Sequence, residues 1–224
     1  MTAQRSGSAE VSGKFLSTLF REQELHARAA LIAQQACELF PDSAAIVYLL
    51  QPADPACWSV KASAGDVHLE SDTVPLDSGT LGMLADQRTR LIFSGSELRR
   101  EDYAHLHTRR TLLTLCYLPI LVDEELIGAL EVASFGLPLK SSDVGSLTDL
   151  LEYSGPALLS SLKYEEERNS HLQSISRLAQ LYDIEKVFNS TLEMDALMPI
   201  ITSKVREILE GQAVNLWMVK DEHE

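Results

Sequence analysis

Two β-rich runs, Thr111 to Val122 and Leu126 to Ala133, flank the acidic triplet Asp123-Glu124-Glu125. Two such runs separated by a short polar turn predict an antiparallel hairpin. Upstream, Ala44 to Leu50 reads as a strand closed by the turn residues Gln51 to Pro55, and Trp58 to Ala62 reads as its hairpin partner. Val74 to Phe93, VPLDSGTLGMLADQRTRLIF, reads as a strand end, a Gly-led helical turn and another strand. Arg99 to Arg110 is polar and reads as a loop with a short helix.

Helices bracket this β-rich middle. Phe15, Leu16, Leu19 and Phe20 fall at helical spacing, Leu25, Ala29, Ile32, Ala36, Leu39 and Phe40 continue the periodicity, and Pro41-Asp42 is the stop. Residues 1–13 are small and polar and are expected to be a disordered tail. After Pro138, Ser141-Ser142-Asp143 offers hydroxyl and carboxylate acceptors to free backbone N–H groups, which predicts a helix start. That helix can run to about Asn189, with a kink expected at Gly155-Pro156.

An internal repeat follows. ELFPDSAAIVYLL, Glu38 to Leu50, aligns without gaps against EILEGQAVNLWMV, Glu207 to Val219, apolar against apolar at Leu39/Ile208, Phe40/Leu209, Val47/Leu216 and Tyr48/Trp217. The preceding helix matches through Leu31/Ile200, Ile32/Ile201 and Ala36/Val205. The offset is about one domain length, as a tandem duplication predicts. A lone helix and strand cannot bury a core, so the second copy reads as the truncated start of a further domain.

Composition excludes several classes. The formal net charge of −14 over 224 residues, spread along the chain, argues against a nucleic-acid partner. No apolar run has the length of about 20 residues that a membrane-spanning helix needs, and no basic start with an apolar segment marks a secretion signal. The expectation is a cytoplasmic protein in which Cys37, Cys57 and Cys116 are reduced thiols.

The order helix, two strands, Gly-led turn, strand, irregular segment, hairpin and long helix resembles a GAF domain. Val74 to Phe93 is similar to that family's apolar-polar-Gly-Gly-helix-strand passage. LCYLPILVDEELIGALEVAS, Leu115 to Ser134, is similar to its Pro-containing central hairpin, with Gly128 in place, and SSDVGSLTDLLEYSGPALL, Ser141 to Leu159, is similar to its closing helix. The resemblance covers Leu25 to Leu162 and the start of a second copy from about Leu178. It implies an α+β fold, a GAF-like antiparallel β-sheet of about six strands flanked by helices, followed by a long signalling helix. The domain scheme is then a complete sensor domain over 14–162, a linker or coiled-coil helix over 163–189, and a truncated second domain over 178–224.

GAF domains often bind small ligands between the sheet and the irregular segment before the central hairpin. Members that bind cyclic nucleotides carry an Asn-Lys, Phe and Asp-Glu signature. The corresponding places here hold Ser134, Phe135, Leu139, Asp143 and Val144, which implies a ligand other than a cyclic nucleotide. Bilin-binding members attach the chromophore through a Cys usually followed by His; here Glu38, Trp58 and Tyr117 follow the three cysteines, which implies no bilin. The candidate pocket set is Ser94, Tyr103, His105, His107, Arg109, Thr114 and Cys116. Arg99, Arg100, His105, His107, Arg109 and Arg110 crowd one stretch with Tyr103, and guanidinium forks match carboxylate or phosphate, so a ligand held there would be an anionic small molecule of unknown identity. The plainer reading is a solvated loop offset by Glu101 and Asp102. No third histidine or cysteine stands at metal-ligand spacing, and no cofactor is specified.

The long helix carries Leu147, Leu151, Ser154 and Leu158, then Leu172, Ile175, Ala179 and Tyr182, on one three-four stripe interrupted by the polar KYEEERNS, Lys163 to Ser170. The stripe predicts a helix that packs first against its own domain, crosses the polar section exposed, and then pairs near the second domain, with a homodimer through this helix. No catalytic residue is assigned. Three functions stay open: a regulatory sensor that binds a small ligand and relays its state along the helix to a missing effector, a small redox enzyme like the GAF-type methionine sulfoxide reductases using Cys116, and a ligand-free dimerisation scaffold.

Overall fold

The computed structural model describes residues 12–51, 54–69, 71–103, 105–190, 194–208 and 212–217. The expected tail over 1–13 therefore lies almost wholly outside the described residues. Two compact units divide the chain, Met1–Glu166 and Glu167–Glu224.

In the first unit, α1 (Gly13–Arg21) begins where the Ser12 hydroxyl accepts a hydrogen bond from the Lys14 N–H, and it buries Phe15 and Leu19. The apolar periodicity that reads as continuous is cut at 22–24, because the Glu22 carboxylate takes the N–H groups of Gln23 and Glu24 at 2.8 and 3.0 Å. A side chain that captures neighbouring backbone donors competes with the helical ladder. The chain then restarts as α2 (Leu25–Leu39), which buries Leu25, Ala29, Ile32, Ala33 and Ala36.

The sheet has six strands: β1 (Ser43–Gln51), β2 (Asp54–Ala64), β4 (Thr73–Pro75), β5 (Leu91–Ser94), β7 (Thr114–Val122) and β8 (Glu125–Ser134). Their order is β4-β2-β1-β8-β7-β5, and every pairing is antiparallel. A separate ribbon joins β3 (His68–Leu69) to β6 (Leu106–His107). The expected central hairpin closes through two residues, Asp123 and Glu124, with φ of 50° and 66°. Left-handed geometry at both central positions matches the right-handed twist of the flanking strands.

Alternation along the strands makes two cores. Ala45, Val47, Leu49, Cys116, Leu118, Ile120, Leu130 and Val132 lie under α1, α2 and the first half of α4 (Ser141–Ser190). Ile46, Tyr48, Trp58, Leu115, Tyr117, Ala129 and Ala133 lie on the other face with Val67, Leu106, and Leu81 and Leu84 of α3 (Gly79–Gln87). Leu147, Leu151 and Leu158 of α4 are buried in the first of these cores, so they are domain interior and are not part of a free dimer stripe. The same periodicity serves both purposes, and the sheet has claimed this half of it.

In the second unit, α4 exposes Leu172, Ile175, Leu178, Leu181 and Tyr182, with Ala179 exposed beside them. α5 (Met194–Ile208) stands where the repeat predicts a helix. Where the repeat predicts a strand, residues 212–217 form none, and the end of that stretch, Met218 and Val219, lies outside the described residues.

Gly128 sits at the centre of the sheet, where a Cβ would meet the Tyr48 carbonyl oxygen and, at 2.5 Å, Leu49 Cδ2. The backbone oxygen has nowhere to go, so Gly128→Ala is expected to destabilise the domain by about 1–3 kcal/mol, as overpacking does. Urea melts check this, with the midpoint falling at an unchanged slope.

Candidate functional site

Within the run LIGALEVAS of β8, Glu131 is the one ionisable residue, and it is fully buried. Its register opposite Tyr117 on β7 and Ile46 on β1 places it on the face away from α2 and α4. A buried carboxylate is tolerated only when its oxygens are satisfied. Here the Tyr48 hydroxyl donates to Oε2 at 2.7 Å, and His105 Nε2 lies 2.9 and 3.0 Å from Oε1 and Oε2. Burial, and then the charge and hydrogen bond of Glu131, push the Tyr48 phenol far up, so it stays a donor. For His105 burial is the largest influence and pulls downward, but the hydrogen bond and charge of Glu131 together outweigh it and leave the imidazole raised.

His105 belongs to a wall that runs from residue 95 to 110 through short 3-10 turns and β6. The wall is fastened elsewhere too. Leu106 is buried in the core beneath it. Arg110 donates from Nη2 to Asp42 Oδ1 at 3.1 Å and lies 5.1 Å from the centroid of the Phe135 ring.

Outside the wall opens a cleft of about 840 Å³ lined by Asp66, His68, Arg100, Tyr103, Leu106, His107, Thr108, Arg109 and Arg110. His68 and His107 are cross-strand partners in the β3–β6 ribbon, and both are exposed. Three guanidinium groups thus face one carboxylate among the described lining residues. Arg110 is already committed to Asp42, whereas Arg100 and Arg109 hold no carboxylate among the described residues. The arrangement is electrically suited to an anion.

Of the pocket set read from sequence, Tyr103, His107 and Arg109 come together in this cleft. His105, in the same wall, turns inward to Glu131 instead. Cys116, Thr114 and Ser94 do not join them. Cys116 lies in the core beneath the helices, Thr114 is fully buried with its Oγ1 accepting from the Leu139 N–H, and Ser94 pairs opposite Thr114 on the same side of the sheet. Strand alternation sends positions 114 and 116 to the face opposite the wall. Burial also pushes the Cys116 thiol up to about 12, with Arg90 opposing only in part. A second, largely apolar cleft of about 480 Å³ lies on the helix side, between Leu118, Pro119 and Leu121 of β7 and Thr148, Leu151 and Glu152 of α4.

Sequence reasoning does not single out Tyr48, Glu131, Asp66 or His68. Glu131 has a signal, a lone acid amid the apolar residues of a central strand. The others have none, since their roles arise from register and from the ribbon between two distant segments.

No family model matches the sequence, and neither does any curated protein. Solved structures do. The GAF domain of an Acinetobacter phosphoenolpyruvate-protein phosphotransferase is similar over 66% of this chain and 95% of its own, at 15% identity and a TM-score of 0.52. A GAF sensor protein from Burkholderia vietnamiensis covers 67% of this chain and 92% of its own, at 16% identity and 0.54. A free methionine-R-sulfoxide reductase from Neisseria meningitidis, solved with its substrate, covers 67% and 87%, at 17% and 0.56. The fold is a GAF fold. Both sensor domains and reductases share it, so chemistry has to be argued from the residues present.

With its thiol buried and its acidity suppressed, Cys116 is expected to resist iodoacetamide at pH 8 in the folded protein and to react fully in urea. Peptide mass spectrometry reads this directly; native alkylation at the rate of a free thiol is the contrary result.

Proposed function

We propose that this chain is the sensor module of a signalling protein, taking a small anionic molecule in the cleft outside the β3–β6 ribbon and passing the occupied state to α4. The observation that carries this reading is the juxtaposition of Arg100, Arg109, His68 and His107 around one concave site in a chain whose net charge is −14. Clefts with a few convergent polar groups are where small ligands bind. The sensor-domain structures that share the fold support the regulatory part of the reading. The reductase alternative loses its proposed nucleophile, because Cys116 is on the other face of the sheet, away from the cleft.

A second element of the proposal is pairing. Leu172, Ile175, Ala179 and Tyr182 follow three-four spacing along an exposed part of α4. A second copy of the chain, through its own α4, is the proposed cover for this stripe.

Thermal melts test the ligand. An anion at a hundred times its dissociation constant stabilises by about 2.7 kcal/mol. Small dicarboxylates or phosphate esters are expected to raise the melting temperature, and Arg109→Ala to abolish the rise. Cyclic AMP and cyclic GMP are expected to leave it unchanged. No shift with any anion tested would favour the ligand-free scaffold.

Sedimentation tests the pairing. Wild type is expected to run as a dimer, and Leu172→Glu combined with Ile175→Glu as a monomer with the sensor fold intact by circular dichroism. A monomeric wild type at high concentration refutes it.

A further inference from the structure

We propose that His105 is a positioning residue for the cleft, a latch from the wall to the buried Glu131 whose protonation makes anion binding proton-linked. The inference rests on the cleft reading above and adds its regulation.

Two of the three groups in this contact belong to the central strands of the sheet. Glu131 is held in the centre of the sheet, and so is Tyr48, which donates to it from the neighbouring strand. The third partner is different. His105 comes from the wall, between the lining residues Tyr103 and Leu106, and its side chain keeps 31% of its exposure. Among the described residues, the one cationic partner of this interior carboxylate is therefore carried by the segment that shapes the cleft. Removing one member of a buried charge pair is costly because the other is left uncompensated. While His105 is protonated, that cost holds the wall down. Once neutral it can still donate one hydrogen bond from Nε2, but it no longer offsets the charge.

The ionisable surroundings agree on the direction. From the sheet, Glu131 on β8 contacts the latch, Tyr48 on β1 donates to the same carboxylate, and Tyr117 on β7 stands opposite Glu131. On the wall and ribbon, Tyr103, His107, Arg100, Arg109 and Arg110 lie on the cleft side with His68 and Asp66, and Asp42 occupies Arg110. An anion between Arg100 and Arg109 would bind the wall in its held position in preference to a released one, and protonated His105 favours the held position. Linkage then runs both ways: the anion favours protonated His105, and protonation favours the anion. A histidine raised on folding stabilises fully below its ordinary value of 6.5, and the contribution is lost as pH rises through the higher folded value. Wall order and anion affinity should both fall as pH rises above that window.

The test uses the full chain with sulfate, which stays a dianion throughout. Hydrogen exchange, corrected for intrinsic rates, is followed for residues 105–110 between pH 6 and pH 9, with β7 and β8 as internal references. Protection of the wall segment is expected to fall by up to about tenfold per pH unit through the transition, the limit for one linked proton, while β7 and β8 hold steady. His105→Gln, a neutral donor on a partly exposed side chain, is expected to flatten the profile at its high-pH level. Glu131→Gln is expected to lower the titration midpoint of the His105 ring in histidine carbon-13 spectra; if that variant does not fold, His105→Gln alone carries the comparison. Sulfate affinity is expected to decline over the same pH range in wild type and to be flat in His105→Gln. Wall protection independent of pH, or falling equally in His105→Gln, overturns the latch even if sulfate binds. A working latch with no sulfate binding at any pH overturns the proton-linked regulation and counts against the cleft reading as well, whereas sulfate binding with a flat wall profile leaves that reading standing and removes only the latch.

Discussion

Everything in the first unit hangs on β8 lying between β1 and β7. Its register against both neighbours decides which side chains reach the helices and which reach the wall. Leu130 and Val132 go one way, into the core under α2 and α4, and Ala129, Glu131 and Ala133 go the other. Because the side-chain period of a strand is two, a slip of one residue would bring Glu131 beneath the helices, where neither Tyr48 nor His105 could satisfy it. The buried carboxylate is thus a register marker as well as a site residue. It makes the wrong pairing far more costly than an all-apolar strand would, which is the best-attested use of a polar group in a core.

The fold was legible because its signals are local. Turn chemistry at Asp123-Glu124, alternation in β7 and β8, and the cap and stop residues of the helices all act over a few neighbours. The site was legible only in part. Arg109, Tyr103 and His107 stand out as a cluster in one segment, but a segment does not say which way each residue faces. His105 separates from His107 because a carboxylate 26 positions away in the chain claims it. Cys116 and Thr114 read as neighbours of the wall because they lie on the strand after it, whereas parity along that strand sends them to the helix side. The leucine stripe of α4 is ambiguous for the same reason. Leu147 and Leu172 carry the same periodic signal, and only the sheet beneath the first explains why one is interior and the other exposed.

Placement of charge follows a related logic. The chain is strongly acidic, yet its cleft gathers arginines. These facts do not conflict at physiological ionic strength, where screening over about 8 Å confines an exposed charge to its own neighbourhood. The distant acids add little at the cleft, while the local guanidinium groups make it suited to an anion. Committing Arg110 to Asp42 and Phe135 spends one of these charges on holding the wall and leaves Arg100 and Arg109 facing the cleft.

The wall and α4 never touch the same face of the sheet, so any influence between them has to cross it. The strands offer a short route, since Glu131 on the wall side adjoins Leu130 and Val132, which are buried in the same core as Leu147, Leu151 and Leu158 of α4. On the helix side the motion would meet polar pins as well as apolar contact. Arg28, buried in α2, donates to the carbonyls of Glu22 and Ala157, and the Ser161 hydroxyl donates to the Gln23 carbonyl at 2.8 Å. Ala157 directly follows Pro156, whose missing N–H leaves the Glu152 carbonyl one turn earlier without its ladder donor, so the Arg28 pin falls just past that break. A hydrogen bond has a narrow range of distance and angle, whereas apolar contacts slide. Arg28 and Ser161 therefore fix where the 22–24 link and α2 meet α4, while the apolar contacts around them are freer to adjust.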